Sequence, residues 1–202
     1  MTRSCLVLAA GAVFLACGSS GPPPPCGPAN CAGCCSNDVC QGGSSNSACG
    51  HAGGACVACS DPKICLTGGA CGFDPAASWQ VLPVSAQIAA DNNGSVWDTD
   101  FSAPDVYAVI GCPGNPDTTG YTSTVESYTP TWSSGGCLAT TADLLNRGFS
   151  IQLWDQDPII ANDTITANLS VIGLQEGHFT AGYVDLQPSG GMLSLRVALQ
   201  RQ

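Results

Sequence analysis

Six of the fifteen carboxylate side chains in this 202-residue chain fall in two short stretches. Asp98, Asp100 and Asp105 lie in the first, and Asp155, Asp157 and Asp163 in the second. Carboxylates crowded in this way disfavour one another's ionisation unless they are solvated, protonated or share a cation. Oxygen-rich clusters on loops suit calcium, which takes about six to eight oxygen ligands. Asp155 and Asp157 alternate at the end of an apolar strand pattern, and alternate residues share a face. Both can therefore turn toward one ion, and the five residues after Asp157 allow Asp163 to return as a third ligand. An EF-hand does not fit, because its fifth position would be Ile159 and no glycine or distal glutamate follows at the required spacing. The plain alternative is a set of solvated surface aspartates.

The elements around these clusters read as β-structure. Leu193, Leu195, Val197 and Leu199 alternate with polar or small residues, as do Phe149, Ile151 and Leu153, which is the period of a half-buried strand. Val106, Ala108 and Ile110 mark another strand, and Trp79 to Ile88 a longer one broken by Pro83. Further strands are expected near 121–127, 164–172 and 179–186, and only Thr141 to Arg147 reads as helix. Turn clusters such as 113–117 and 188–191 punctuate the pattern. Seven or eight short strands between residues 73 and 202 predict an antiparallel β-sandwich. Cys112 and Cys137 are the only cysteines in this stretch. A bridge between neighbouring loops is expected for them, with free buried thiols as the alternative.

Ahead of the sandwich the composition differs. Residues 1–16 have the layout of an export signal, with Arg3 followed by an apolar run from Cys5 to Ala16. That run is shorter than the roughly 20 residues a membrane-spanning helix needs. Its end, Phe14-Leu15-Ala16-Cys17-Gly18, resembles a bacterial lipoprotein box, which implies lipid attachment at Cys17; an ordinary secretory signal is the alternative. Residues 17–25 form a Gly/Ser/Pro linker whose proline run is a stiff spacer. Residues 26–72 hold ten cysteines and few large apolar side chains. So short a segment cannot build an adequate core alone, and disulfides would supply the missing stability in an oxidising compartment. The even count favours five bridges of unspecified connectivity. Metal ligation by Cys31-x-x-Cys34-Cys35 and Cys56-x-x-Cys59, or thiol redox chemistry at Cys56-x-x-Cys59, are weaker readings.

The segment from about 79 to 200 resembles a C2 domain, the eight-stranded sandwich known for calcium-dependent lipid binding. Three stretches carry the resemblance: Asp155-x-Asp157-x5-Asp163, Pro104-Asp105-Val106-Tyr107 behind Asp98, and Tyr128-Thr129-Pro130-Thr131-Trp132. The proline before Asp105 is displaced from the family's usual place, and one extra residue separates Asp98 from Asp105. The resemblance implies an all-β, eight-stranded antiparallel C2-like sandwich over residues 73–202, behind a small disulfide-rich module. It implies Ca2+ as cofactor, with Asp98, Asp105, Asp155, Asp157 and Asp163 as ligands. Phe101, Ile159 and Ile160 would contact lipid from the loop tips.

Charge limits the partners. Only five Lys or Arg residues stand against fifteen acids, for a net charge of −10, so the basic footprint of a nucleic-acid binder is absent. Lipid contact would depend on calcium bridging and apolar insertion rather than on a polybasic strand. His51 and His178 are the only histidines, and neither a Gly-x-Ser-x-Gly nor a His-Glu-x-x-His motif occurs. The expectation is therefore a non-enzymatic, exported cell-envelope protein, at the outer membrane or cell surface, binding membrane lipid or a surface ligand. A structural or adhesive envelope protein, in which calcium only stabilises the sandwich, is the competing expectation.

Overall fold

The computed structural model describes residues 23–157 and 161–202. The expected anchor Cys17 and the isoleucines Ile159 and Ile160 lie outside the described residues.

From Ser78 the described residues form ten strand segments and two short helices. These are β1 (Ser78–Ile88), β2 (Asp105–Cys112), β3 (Thr118–Tyr121), β4 (Val125–Glu126), β5 (Cys137–Thr140) and α1 (Thr141–Arg147). They continue with β6 (Phe149–Asp155), β7 (Asp163–Thr164), β8 (Leu169–Val171), α2 (Glu176–Ala181), β9 (Tyr183–Leu186) and β10 (Met192–Arg201). Because β3 and β4 both pair with β2, and β7 and β8 both pair with β6, the ten segments make eight strands. One sheet has the order β3-β2-β6-β7, with β4 and β8 continuing its edges; the other has the order β5-β1-β10-β9. All pairings within the two sheets are antiparallel. The core lies between them, where Val81, Ile110, Ile151, Leu153, Leu195 and Val197 are each at most 1% exposed.

Several local outcomes differ from the sequence reading. Pro83 does not break β1. It pairs with Val197 next to a register shift, and a bulge is how a central strand accommodates a residue with no N–H to donate. Leu193 faces solvent, because a second irregularity between Met192 and Ser194 turns Met192 inward instead. The expected strand over 179–186 begins as helix α2. Gln175 caps it through reciprocal bonds with His178, and Gly182 ends it in the left-handed region at φ +78°. Helix α1 spans the expected residues, capped by Thr140, whose hydroxyl accepts from Asp143 N.

The Cys112–Cys137 bridge forms, with Cα atoms 5.8 Å apart. It does not join neighbouring loops, however. Cys112 ends β2 in one sheet and Cys137 starts β5 in the other, and both are buried. The bridge is therefore a covalent staple between the two sheets.

Residues 26–72 fold around cystines. Cys26–Cys35, Cys31–Cys40, Cys34–Cys56, Cys49–Cys65 and Cys59–Cys71 account for all ten cysteines. Oxidised in this way, they are unavailable as thiolate ligands or as a redox pair. A hairpin at Cys34–Ser36 and Val39–Gln41 turns through Asn37 and Asp38, both at positive φ, the conformation that tight two-residue hairpin loops require. The module meets the sandwich at Phe73, which is buried and packs its ring 6.2 Å from Trp79 and 5.4 Å from Phe179.

Candidate metal centre

Strand parity explains the position of Asp155. Along β6, Phe149, Ile151 and Leu153 point inward while Ser150, Gln152 and Trp154 are only partly covered. Asp155 continues the inward register, so a carboxylate occupies a core position and is 0% exposed. Its Oδ1 accepts a hydrogen bond from Asp105 N at 2.6 Å. The carbonyl of Asp105 accepts from Gln156 N at 2.9 Å, so the starts of β2 and of the loop after β6 are held together. The described ends of that loop (residues 156–157 and 161–162) and the loop between β1 and β2 (residues 89–104) lie at one pole of the sandwich.

The Oδ2 atoms of Asp98, Asp155 and Asp157 are buried and have no hydrogen-bond partner. Leaving buried carboxylate oxygens unmatched is costly. Burial, and then the charges of Asp98, Asp157 and Asp105, push the Asp155 carboxyl up to about 6, opposed only by the Asp105 N–H. Asp98 is raised for similar reasons: burial first, then Asp105 and Asp157. The fold thus brings Asp98, Asp105, Asp155 and Asp157 close enough to feel one another's charge.

Asp163 stands directly opposite Asp155 in the β6–β7 pairing, but its charge is not among those that raise Asp155. Asp100 is exposed and turned to its own loop, accepting from Ser102 N at 3.1 Å and Ser102 Oγ at 2.7 Å. Those bonds hold its carboxyl below the usual range.

Oxygen-only donors of this kind suit a hard cation such as calcium or magnesium. The set is wider than one closed coordination shell. Among the described residues, the only groups of three or more potential ligand atoms lying within 4.8 Å of one another are disulfide cysteines. A cation here would have to draw the two loops together.

Three residues that sequence reading passed over shape this pole. Trp97 is 4% exposed and donates Nε1–H to Ala89 O at 2.9 Å, which anchors the first loop beside Asp98. Asn162 accepts from Asp157 N at 3.2 Å and donates to Tyr107 Oη at 3.1 Å, setting the turn of the second loop. Glu126 lies directly opposite Asp105, a like-charge placement that is unfavourable without a counterion. A tryptophan directly before a predicted ligand is the one signal the sequence carries; the other two depend on strand register and loop geometry. Phe101, the described member of the expected lipid-contact set, is 78% exposed at φ +69°. That left-handed conformation is uncommon for a bulky residue.

No protein-family model matches the chain, and no characterised protein matches it by sequence. Among solved structures, a human GIVD cytosolic phospholipase A2 in complex with methyl gamma-linolenyl fluorophosphonate aligns with 62% of this chain at 14% identity and a TM-score of 0.42. A calcium-bound pair of C2 domains from extended-synaptotagmin 2 aligns with 62% at 18% identity and a TM-score of 0.40. A single C2 domain of a plant extended synaptotagmin 1 aligns with 64% at 11% identity and a TM-score of 0.37. The aligned segments span 17%, 46% and 98% of those chains respectively. Among its described residues the chain is predominantly β: an eight-stranded antiparallel sandwich behind a disulfide-rich module.

Proposed function

We propose that this protein is a non-enzymatic calcium-binding C2-like module that docks on membrane lipid through its two acidic loops. The observation that carries this reading is Asp155, a fully buried carboxylate whose Oδ2 has no partner, flanked by equally unmatched oxygens of Asp98 and Asp157. Asp98, Asp155 and Asp157 would hold the ion, with Asp105 and Asp163 completing the shell as the loops close. Calcium fits such an adaptable all-oxygen site better than magnesium, which demands near-ideal octahedral geometry. Phe101, together with Ile159 and Ile160, would then enter the lipid. Export and lipid attachment at Cys17 belong to the same proposal. The six disulfides support export, since such bonds persist in oxidising compartments.

Calorimetric titration of the protein with calcium, beside an Asp155→Asn/Asp157→Asn variant, tests the metal site. Saturation at or below the roughly millimolar range of extracellular sites, lost in the variant, is expected. Sedimentation with phosphatidylserine-containing vesicles then tests the docking. Calcium-induced stabilisation without vesicle binding would point instead to a structural or adhesive envelope protein.

A further inference from the structure

The hairpin tip that opens the first acidic loop carries a chemistry separate from the metal centre. Asn92 and Ser95 face each other there, with Asn92 N donating to Ser95 O at 2.8 Å and Ser95 N to Asn92 O at 3.1 Å. Between them stand Asn93 and Gly94, at φ +54° and +89°. Positive φ at both central residues is what this kind of two-residue loop requires, and Asn-Gly suits it. Asn93, Gly94 and Ser95 are all exposed. The chain has no other Asn-Gly step.

An asparagine amide followed by glycine is open to attack from the next backbone nitrogen, because glycine brings no side chain into the path. Nothing lies within 4 Å of where a Gly94 Cβ would stand. The Asn93 Nδ2 group donates to Asn92 Oδ1 at 3.3 Å, while its carbonyl accepts no hydrogen bond among the described residues. Asn30, Asn46 and Asn162 differ, since each commits its Oδ1 to a backbone N–H. The deciding contact is Asp91, whose Oδ1 accepts from Gly94 N at 2.6 Å. A general base must stand about 2.6–3.2 Å from the atom whose proton it takes. Asp91 meets that distance at the one nitrogen that would attack.

We propose that Asn93 is a self-modifying site, converted to a carboxylate with Asp91 as the base. Gly94 N bonds to Asn93 Cγ as its proton passes to Asp91, which closes a succinimide ring. The bond from Cγ to Nδ2 then breaks, and that nitrogen leaves as ammonia with the proton Asp91 held. Water opens the ring at either carbonyl, leaving aspartate or isoaspartate at position 93. The net change is an amide exchanged for a carboxylate, with water as the only co-reactant. The loop over residues 89–104 holds three carboxylates, Asp91, Asp98 and Asp100, and the reaction adds another. The isoaspartyl form also lengthens the backbone of the turn by one carbon.

The test follows the full chain in metal-free neutral buffer by mass spectrometry of its peptic peptides. One sample stays folded and a second is reduced and unfolded in guanidinium. The peptide holding Asn93 should convert several-fold faster in the folded sample. Asp91→Asn, which keeps an oxygen near Gly94 N but not the base, should lose that advantage with an unchanged circular dichroism spectrum. Slower conversion in the folded sample than in the unfolded one would overturn the proposal, because the turn would then shield Asn93. Equal rates in the parent and Asp91→Asn would overturn it by removing the base. Conversion of Asn46, which precedes a serine, as fast as Asn93 in the folded sample would overturn it as well.

Discussion

Asp155 should make this protein less stable at neutral pH than at pH 4 when no cation is bound. Its carboxyl is pushed up to about 6 from an ordinary 3.8, so the native state holds the proton more tightly than the unfolded chain does. The corresponding stability is fully present below the unfolded value, falls as pH rises between the two, and is gone above about 6. A shift of roughly two units at about 1.4 kcal/mol each amounts to about 3 kcal/mol. Asp98 is raised for the same reasons and acts in the same direction. The carboxyls held low, Asp100, Asp117 and Asp185, lose their contribution only as pH falls below about 4, so they do not mask this window. Replacing Asp155 with Asn keeps an oxygen for the Asp105 N–H and removes the charge. In metal-free buffer Asp155→Asn should therefore be more stable than the parent at pH 7, by about 1–3 kcal/mol, or several degrees in Tm. Calcium should reverse that ranking. Denaturant unfolding from pH 4 to 7.5 provides the measurement. A flat parent profile, or an equally steep one in Asp155→Asn, would refute the reasoning.

Two further outcomes follow from packing. Replacing Cys112 and Cys137 together with Ala should cost about 3–4 kcal/mol, because their bridge closes a 25-residue separation; a loss below about 1 kcal/mol in chemical denaturation would contradict the staple. A side chain at Gly191 would place its Cβ 2.7 Å from the Trp97 ring. Gly191→Ala should therefore displace the first acidic loop, cost about 1–3 kcal/mol and red-shift the tryptophan emission, whereas an unchanged spectrum with intact calcium affinity would argue against that coupling.

Much of the fold was legible because strand period is a strong signal. Phe149, Ile151 and Leu153 point inward as their alternation predicts, and α1 occupies its expected residues. The same alternation, carried one step further, puts Asp155 in the core register, whereas the sequence reading placed it at the strand end facing an ion with Asp157. What could not be read were local departures from period. The bulges that reverse Leu193 and accommodate Pro83 depend on partner strands. The start of α2 depends on a reciprocal Gln175–His178 cap. Cystine pairing depends on three-dimensional proximity, and so does the inter-sheet path of Cys112–Cys137. At the candidate site, both loops were visible as acidic spacings. The approach of Asp105 to Asp155, and the placement of Asp163 directly opposite Asp155, follow from how β2 and β7 flank β6.

The inter-sheet disulfide has a consequence for how the domain opens. It lies toward the module end of the sandwich, where β2 finishes and β5 begins, so the two sheets resemble pages bound along one edge. The free edge is the acidic one. Thermal opening should begin there, and amides of residues 89–104 should exchange hydrogen faster than those near Cys112. A cation that pulls the two acidic loops together closes the unbound side of the book, so that covalent chemistry secures one end while ion binding regulates the other.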